Sequence, residues 1–479
     1  MPALSRRIWL LNGCFGLAAC AWGAAFSIQE IGSRATGMGG AFVAVASDGS
    51  ALFYNPAGIA FQDGFRAQMD MLLVHGNFTF TPSVAPNGTI VPERGYQGFI
   101  SPKILVVPNL YMSARLSPKW TVGFGSFAPF GLGGNWTNFK DDDPRNTKFV
   151  ARFHTTRPKM ESIWMQPTVA YRVNDRLAVA FGAALVHTHV LLEQSMLNPY
   201  VEGRDLGTQL SPQIFPDADP AAGGAIIARL LPEGRSRFAA TSNNIGGSLG
   251  VLYWHPRWKT RLGAAYRTAV TQHFRGKASF AFDRNYPLRP LAGPEVFASQ
   301  FPEQEASATF PTPATYAVGV ATEALGNNLI SMDVQMQDYR RLKYVVLNFS
   351  RNGPDVATPA EARIDYSFHN AWAVRLGWER PMRGFTVRAG WAFDGTPVPE
   401  AAVSPLWPDS SRLNFNAGAS KEIAGKEFTL FYQFTKFLPR TTNVAANANV
   451  FTNGDWKSTA QLLGIALRFG KRGMTMDSQ

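Results

Sequence analysis

Apolar and polar side chains alternate with a period of two along much of this 479-residue chain. Because successive side chains of a strand point to opposite faces, this pattern predicts β-strands with one apolar face. The first stretch places Phe65, Ala67, Met69, Met71 and Leu73 on one face, between Arg66, Gln68 and Asp70. Similar stretches occur at residues 110–116, 120–132, 163–171, 177–185, 245–253, 262–270, 316–320, 330–336, 372–378, 387–393, 413–419, 428–434 and 463–469.

The connections between these stretches alternate in length. Short turns are predicted near residues 117–119, 174–175, 255–257 and 326–328, and long loops at 79–102, 129–158, 191–242, 272–311, 340–369, 394–410 and 438–455. An even number of strands with short turns at one end and long loops at the other is typical of bacterial outer-membrane barrels. We therefore predict an all-β fold, an antiparallel transmembrane β-barrel of about fourteen strands.

Aromatic residues fall near several predicted strand ends, at Trp120, Trp254, Trp258, Trp378, Trp391 and Phe393. Membrane barrels carry girdles of aromatic side chains at both interfaces, and these residues are candidates for them. Packing inside the protein is the alternative for any one of them.

Residues 26–61 differ from the rest because they are rich in Gly, Ala and Ser and carry neither a strand pattern nor a wide apolar helical stripe. Small residues permit close approach of backbones, and Asn55, Pro56, Ala57 and Gly58 form a turn signal. We predict that this segment is a hatch that lies in the lumen of the barrel.

The N-terminal residues 1–25 are predicted to be a cleaved signal peptide, with Arg6 and Arg7 ahead of an apolar stretch and then small residues. The small-residue rule permits cleavage after Gly23 or after Ala25. A lipoprotein signal ending at Cys20 is the alternative. The predicted organisation is signal peptide 1–25, hatch 26–61, barrel 62–470 and a C-terminal extension 471–479.

The chain has a formal net charge of +12 and a pI near 9.7. Its basic residues are dispersed and form no nucleic-acid-binding module, so we predict no nucleic-acid partner. For an exported protein the matching partner is an anionic membrane surface. Beyond the signal no run of eighteen apolar residues occurs, which argues against helical membrane spans.

Few residues suggest catalysis or a cofactor. Residues 246–250 read Gly-Gly-Ser-Leu-Gly and match the nucleophile elbow formally, but Ser248 falls inside a predicted strand, where tight packing explains the glycines. The glycines at 37, 39 and 40 lack the strand that precedes a dinucleotide-binding loop. We predict no catalytic residue and no cofactor.

Two groups of residues are candidate metal ligands. His187 and His189 share one strand face but lack a third ligand, and a girdle position explains them equally well. Asp141, Asp142 and Asp143 lie in a long predicted loop, where they can bind calcium or bridge lipopolysaccharide cations, or simply be solvated. No metal site is predicted.

Several motifs together resemble the FadL/TodX family of outer-membrane transporters for long-chain fatty acids and aromatic hydrocarbons. They are the opening of the hatch at 25–40, Asn55-Pro56-Ala57, the segment 127–132 (Phe-Ala-Pro-Phe-Gly-Leu), the hairpin at 174–175, and residues 394–399 followed by 408–412. The resemblance covers nearly the whole mature chain. One departure is that residues 470–479 continue past Phe469, where such barrels usually end on an aromatic residue.

The resemblance implies a fourteen-stranded barrel with a hatch and energy-independent uptake of hydrophobic molecules. It implies as partners the substrate, outer-membrane lipid and lipopolysaccharide, and the barrel-assembly machinery, with the protein a monomer in the outer membrane. The alternatives are a barrel enzyme of the lipase or esterase type and a general diffusion porin.

The candidate substrate-binding residues come from the hatch and from inward strand positions. By alternation Arg375 and Arg388 face the lumen beside Asp333, where Arg375 can neutralise an acid head group. In the hatch, Phe26, Ile28 and Ile31 place apolar groups near Arg34.

The candidate gate is residues 26–40, with Gly37, Gly39 and Gly40 as its hinge and Asn55, Pro56 and Ala57 as part of the hatch. The candidate lateral exit lies on the third strand at Gly123, Gly125 and Pro129, because Pro and Gly interrupt strand pairing. The resemblance points to the same strand, since the family is described as having a kink there.

Overall fold

The structure of the protein, a computed structural model, describes residues 25–83, 98–100, 104–137, 150–196, 234–282, 294–352, 360–443 and 452–470, and also residues 212, 216, 217, 219, 223, 356 and 358. The predicted signal sequence up to residue 24, with Cys14 and Cys20, lies outside the described residues. The acidic residues 141–143 and the C-terminal extension 471–479 also lie outside them.

Strands dominate the described part of the chain, and all of their pairings are antiparallel. Labelled in chain order, they are β1 Phe65–Pro82, β2 Gly98–Ile100, β3 Leu105–Arg115, β4 Trp120–Gly133, β5 Trp136–Thr137, β6 Arg157–Arg172, β7 Leu177–Met196, β8 Gly234–His255, β9 Thr260–Arg267, β10 Val270–Phe282, β11 Gln304–Thr312, β12 Ala314–Thr322, β13 Leu329–Asp338, β14 Tyr344–Phe349, β15 Glu361–Asp365, β16 Ala371–Met382, β17 Phe385–Asp394, β18 Arg412–Ile423, β19 Lys426–Phe437, β20 Arg440–Thr442 and β21 Gly454–Phe469.

The strands close into one ring. Within the described residues the ring runs β1, β3, β4, β6, β7, β8, β9, β12, β13, β16, β17, β18, β19 and β21, which pairs with β1. The other strands extend this wall at the end that carries the long loops. The prediction of a fourteen-stranded antiparallel barrel is confirmed.

Side chains along the wall alternate between an apolar outer face and a polar inner face. The exposed positions are apolar, as at Phe181, Val318 and Leu430, which are 57%, 58% and 52% exposed. The inward positions include buried polar and charged groups such as Gln166 and Asp333. This arrangement is that of a barrel that faces lipid, because the apolar outer face can meet hydrocarbon while the polar side chains point into the barrel.

Two sequence expectations need correction. The strands extend beyond the predicted ones, since β10 continues to Phe282 and β11 starts at Gln304, inside the stretch 272–311 that was expected to be a loop. Strict alternation is needed only in the part of a strand where one face meets lipid. The ends of the strands extend beyond this part, so the alternating pattern does not predict them. Trp254 lies on the inner face, 5% exposed, with its ring beside the Arg261 guanidinium, and therefore belongs to no girdle.

Helices are short. Within the described ranges, the α-helices are α1 Ser33–Gly37, α2 Ala51–Tyr54 and α3 Pro294–Gln300, and the 3-10 helices are Pro56–Phe61, Val150–Phe153, Pro256–Trp258, Tyr339–Arg341 and Glu400–Ala402. In the part of the chain that the structure describes, no helix has the length and apolar character to cross a membrane.

The outer face gives a first testable prediction. Val318 lies in the middle of β12 with its side chain outward, so Val318→Arg places a charge in lipid and is expected to destabilise the barrel by about 2–4 kcal/mol. Urea unfolding in lipid vesicles measures the change, with Val318→Leu as the control. Equal unfolding midpoints for the two variants would contradict the membrane-facing orientation.

Candidate functional site

The N-terminal segment, residues 25–61, lies inside the ring of strands. Nearly all of its side chains are buried, with Phe26, Ile28 and Ile31 at 0% exposure. Helix α1 contacts β17, β18, β19 and β21, whereas the 3-10 helix Pro56–Phe61 contacts β6, β7 and β8 on another side of the ring. Because the segment contacts strands on different sides of the closed wall, it must lie in the space that the wall encloses.

Small residues allow the N-terminal segment to approach the wall closely. Gly39 has φ +67°, and a Cβ atom there would lie 2.8 Å from the backbone nitrogen of Trp391. Gly37 faces Gly418, where a Cβ would be 3.4 Å from that residue's Cα. Gly40 has φ +75° and lies beside Arg375. The three glycines predicted as a hinge thus all lie in contact with the barrel wall.

Asn55 fixes the turn that ends this close-packed stretch. Its Nδ2 donates to the carbonyl oxygens of Val43 and Val251, both at 2.9 Å, and its Oδ1 accepts from the backbone nitrogen of Ala57 at 3.2 Å. Asn55 therefore caps the helix that starts at Pro56 and ties it to β8. A Cβ on Gly250 would overlap Asn55 and Pro56, so glycine is required there.

A first ion-pair network joins the N-terminal segment to β16 and β17. Arg34 donates to both carboxylate oxygens of Glu379 at 2.8 and 2.7 Å, and Arg388 donates to the same carboxylate at 2.6 Å. Burial alone would lower the pKa of Arg34, but Glu379 holds the pKa above its ordinary value. The bidentate geometry makes this a specific contact rather than a loose attraction.

A second network lies nearer the long loops. Arg375 pairs with Asp394 at 2.6 Å, and Arg412 lies 3.3 Å from Asp394 and 3.5 Å from Asp409. Asp409 also accepts from the backbone nitrogen of Ala25 at 3.0 Å. Burial raises the pKa of Asp409 above its ordinary value. The guanidinium of Arg375 thus already faces a carboxylate of the protein, and its predicted contact with substrate stays a prediction.

Inward polar side chains bind the backbone of the N-terminal segment. Asp70 accepts from the nitrogen of Ser33 at 2.6 Å, Asp333 accepts from that of Val43 at 2.8 Å, and Gln166 donates to the carbonyl of Leu52 at 2.8 Å. These bonds satisfy buried backbone groups that have no strand or helix partner. The segment is therefore held by side chains of the wall as well as by apolar packing.

The start of the N-terminal segment meets β4 where the pairing of that strand with β6 is interrupted. The register shifts between Phe127 and Phe130. There the nitrogen of Ile28 donates to the carbonyl of Pro129, and the nitrogen of Gly131 donates to that of Phe26, both at 2.8 Å. The N-terminal residues supply β4 with backbone hydrogen bonds at the interruption.

Aromatic rings surround Phe26 at this position. Its ring centroid lies 5.1–5.7 Å from those of Phe130, Phe310, Tyr339 and Trp407. The last three come from distant parts of the chain, so no local sequence pattern connects them with Phe26. They are site residues that the sequence analysis missed.

Gly123 and Gly125 lie on β4 against the N-terminal segment. A Cβ on Gly123 would be 2.8 Å from Leu52 Cδ2 and 2.9 Å from Ile59 Cδ1, and one on Gly125 would be 3.4 Å from Leu52 Cβ. The space beside Gly123 is therefore filled by side chains of that segment, whereas a Cβ on Gly125 would lie nearest the ring of Phe127, 2.9 Å from its Cε1. Glu379, also missed, shares the inward face of β16 with Arg375, and strand alternation could have found it.

The candidate nucleophile and the candidate metal ligands are not arranged for catalysis or for metal binding. Ser248 lies within β8 rather than at a strand-to-helix turn. His187 Nδ1 lies 2.7 Å from Asn243 Oδ1, and His189 Nδ1 lies 3.8 Å from Glu161. Among the residues with described positions, no group of three or more potential ligands is placed to hold a metal ion.

A closed antiparallel barrel with an apolar outer face and a polar interior defines a transmembrane β-barrel of the outer membrane. The family model described as "Outer membrane protein transport protein (OMPP1/FadL/TodX)" matches residues 15–470. The chain belongs to this family, which comprises transporters rather than enzymes.

Curated relatives agree with this assignment. A putative outer membrane protein of Neisseria meningitidis serogroup B is 26% identical over 440 residues, which cover 90% of each chain. The long-chain fatty acid transport protein of Escherichia coli K12 is 24% identical over 414 residues, which cover 84% of each chain.

Solved structures share the fold. A Pseudomonas aeruginosa FadL homologue has a TM-score of 0.73 at 16% identity, with 93% of this chain and 99% of that chain covered. The toluene transporter TodX of Pseudomonas putida has a TM-score of 0.63 at 16% identity, with 95% and 99% covered.

The Arg34–Glu379–Arg388 network gives the second testable prediction. Glu379→Gln leaves two buried guanidinium groups facing each other without their carboxylate, and breaking a buried pair of this kind costs about 3–5 kcal/mol. We expect a lower urea midpoint and faster proteolysis of residues 25–61.

The matched control is Glu303→Gln, because Glu303 forms an exposed pair with Lys277. This control is expected to leave both measurements close to those of the wild type, since exposed ion pairs contribute little. An equal response of the two variants would contradict a structural role for the buried network.

Proposed function

We propose that this protein carries hydrophobic molecules across the outer membrane without an energy source, and that its substrates are long-chain fatty acids or aromatic hydrocarbons. The name of the E. coli relative supports the first substrate class, and that of the toluene transporter supports the second. The polar inner face would be unsuitable for such molecules unless apolar groups were added to it. The N-terminal segment adds them, with Phe26, Ile28 and Ile31.

The N-terminal segment is the hatch of this transporter in our proposal, and residues 26–40 are its gate. The single observation that carries the proposal is the pair of hydrogen bonds by which Phe26 and Ile28 bind β4 beside its register shift. Opening the gate exchanges these two backbone bonds with water or substrate, at about 0.5–1.5 kcal/mol each. It also requires release of the buried Arg34–Glu379 ion pair and of the aromatic contacts of Phe26.

Lateral release through the wall at β4 is the proposed exit. Pro129 cannot donate to a strand ladder, and the register shift leaves a local interruption of the pairing. A hydrophobic molecule that moves sideways into the bilayer avoids water, which favours this route by about 0.8 kcal/mol for each methylene group. Because Leu52 and Ile59 cover Gly123, the route opens only when the N-terminal segment moves.

The other classes of function fit the site less well. A general diffusion porin needs a water-filled lumen, and residues 25–61 lie across it. A barrel esterase needs a nucleophile with a neighbouring base, and Ser248 Oγ has no hydrogen-bond partner among the described residues.

Transport is tested directly by uptake. Cells that produce the protein should accumulate radiolabelled oleate or toluene faster than cells without it, and dissipating the proton gradient should leave passage across the outer membrane unchanged. Heat-modifiable mobility in gel electrophoresis confirms that the barrel is folded. Equal uptake of both compounds in the two strains would refute the proposal.

Gating is tested with a reversible cross-link. Ser27 and Phe130 are partners in an antiparallel bridge without direct hydrogen bonds between them, a geometry that places Cα atoms about 4.5 Å apart and allows a disulfide. We expect Ser27→Cys with Phe130→Cys to lose uptake when oxidised, to recover it with reductant, and to bind ligand in both states.

Each single cysteine variant is the control for the cross-link, because it carries the same loss of packing without the covalent bond. Unchanged uptake by the oxidised double variant would show that the N-terminal residues need not leave β4 during transport.

A further inference from the structure

The outer face of the barrel carries an apolar groove that extends from β8 across β9, β12 and β13 to β16. Its volume is ≈ 440 Å³, within the roughly 300–1,000 Å³ that is usual for ligand sites in proteins. Ala264 of β9 is part of its lining and pairs in register with Val251 of β8 on one side and Val318 of β12 on the other. The short side chain of Ala264 leaves a depression between these larger neighbours.

Large side chains border the groove toward the long loops. Tyr266, Tyr316, Met336 and Trp372 form one row across β9, β12, β13 and β16, because each is the register partner of the next. Tyr316 and Trp372 are 44% and 57% exposed, and the side chains of Tyr266 and Tyr316 hydrogen-bond to each other. Aromatic residues with a polar tip are typical of the level at which hydrocarbon meets lipid head groups.

Basic side chains lie next to this row, where β13 ends at Asp338. Arg340 Nε lies 3.2 Å and Arg341 Nε 3.6 Å from the Asp338 carboxylate, and both arginine side chains are more than half exposed. Lys343 is also exposed, and in the described ranges no carboxylate lies within ion-pair distance of it. With three cations and one carboxylate, this basic cluster, residues 338–343, has a net charge of +2.

The basic cluster and the groove are adjacent and lie on the external side of the membrane. Arg341 lies close enough to Tyr266, which lines the groove, to interact electrostatically with it. Strand β13 starts after the short turn at 326–328, so Asp338 lies at the end of the wall that carries the long loops. Long loops are external in this class of barrel, and the cluster therefore faces the head groups of the outer leaflet.

We propose that the groove and the basic cluster together bind one molecule of lipopolysaccharide, with an acyl chain of its lipid A in the groove and a phosphate group at Arg341 and Lys343. The groove opens to hydrocarbon, so acyl chains can enter it directly from the membrane. Guanidinium and ammonium groups donate charge-assisted hydrogen bonds to phosphate oxygens. The site lies outside the lumen, so this inference does not depend on the proposed transport.

Charge complementarity favours lipid A over a phospholipid. A phosphate monoester, as in lipid A, carries a charge of about −1.5 to −2 near neutral pH, which matches the net charge of the basic cluster. The phosphodiester of a phospholipid carries a single negative charge and leaves part of the cluster uncompensated. The external position of the cluster also selects a lipid of the outer leaflet.

The test compares three lipids. Apparent dissociation constants of bisphosphorylated lipid A, dephosphorylated lipid A and phosphatidylglycerol are measured by native mass spectrometry with the detergent-purified protein. We expect the wild type to bind bisphosphorylated lipid A at least tenfold more tightly than either of the other two. Heat-modifiable mobility checks that each variant is folded.

Two double variants test the basic cluster. Arg341→Gln with Lys343→Gln should bind bisphosphorylated lipid A at least tenfold more weakly, because hydrogen bonds between charged groups are among the strongest. Its binding of dephosphorylated lipid A should change less than threefold. The matched control is Arg380→Gln with Arg383→Gln, which removes two exposed charges where β16 approaches its short turn to β17, and it should keep the wild-type values.

A second pair of variants tests the groove. Ala264→Leu fills the depression on the outer face and should weaken binding of both forms of lipid A by threefold or more. Ala389→Leu is the matched control, because Ala389 is an exposed alanine of β17 that does not line the groove. It should leave both dissociation constants unchanged.

Several results would overturn the inference. Equal losses in the two charge variants would show that net charge alone explains binding, and equal affinity of the wild type for lipid A and phosphatidylglycerol would show that the phosphate monoester is not recognised. Unchanged binding in Ala264→Leu would show that no acyl chain occupies the groove. A wild-type dimer that Ala264→Leu dissociates would show that a second copy of the chain, rather than a lipid, covers it.

Discussion

The pairing of β1 with β21 is the constraint on which the rest of the structure depends. It joins the first and last strands of the ring over Ala67 to Pro82 on β1, so the wall has no open edge between them. Only a closed ladder satisfies the backbone of strands in hydrocarbon. Once the ring is closed, each inward side chain faces an enclosed space that must be filled or hydrated.

The N-terminal segment fills much of that space, and it does so by two kinds of interaction. Small residues such as Gly39 bring its backbone against the wall, and charged groups such as Arg34 reach carboxylates on the strands. The ion pairs are buried, so they contribute to a specific position of the segment more clearly than to net stability. A segment held this way has one defined position inside the barrel.

The arginines of the lumen differ in whether a carboxylate of the protein lies beside them. Arg375 and Arg388 face Asp394 and Glu379, so their charges are compensated within the protein. Arg267 is held by aromatic rings and a backbone carbonyl instead. Strand alternation predicted the inward position of Arg375 but could not show that it was already paired.

The sequence by itself determined the barrel. Alternation at residues such as Met69 and Asp70 specifies one apolar face, and therefore which side chains of each strand point outward, because side chains repeat every two residues. The small residues of the N-terminal segment also revealed that it must be packed by other parts of the chain.

Only the tertiary structure decided which groups meet inside the barrel. Arg34 and Glu379 are 345 positions apart, and Phe26 meets Trp407 across the lumen. Local patterns report which face a side chain occupies, but the distances across a closed barrel depend on the order and stagger of all its strands.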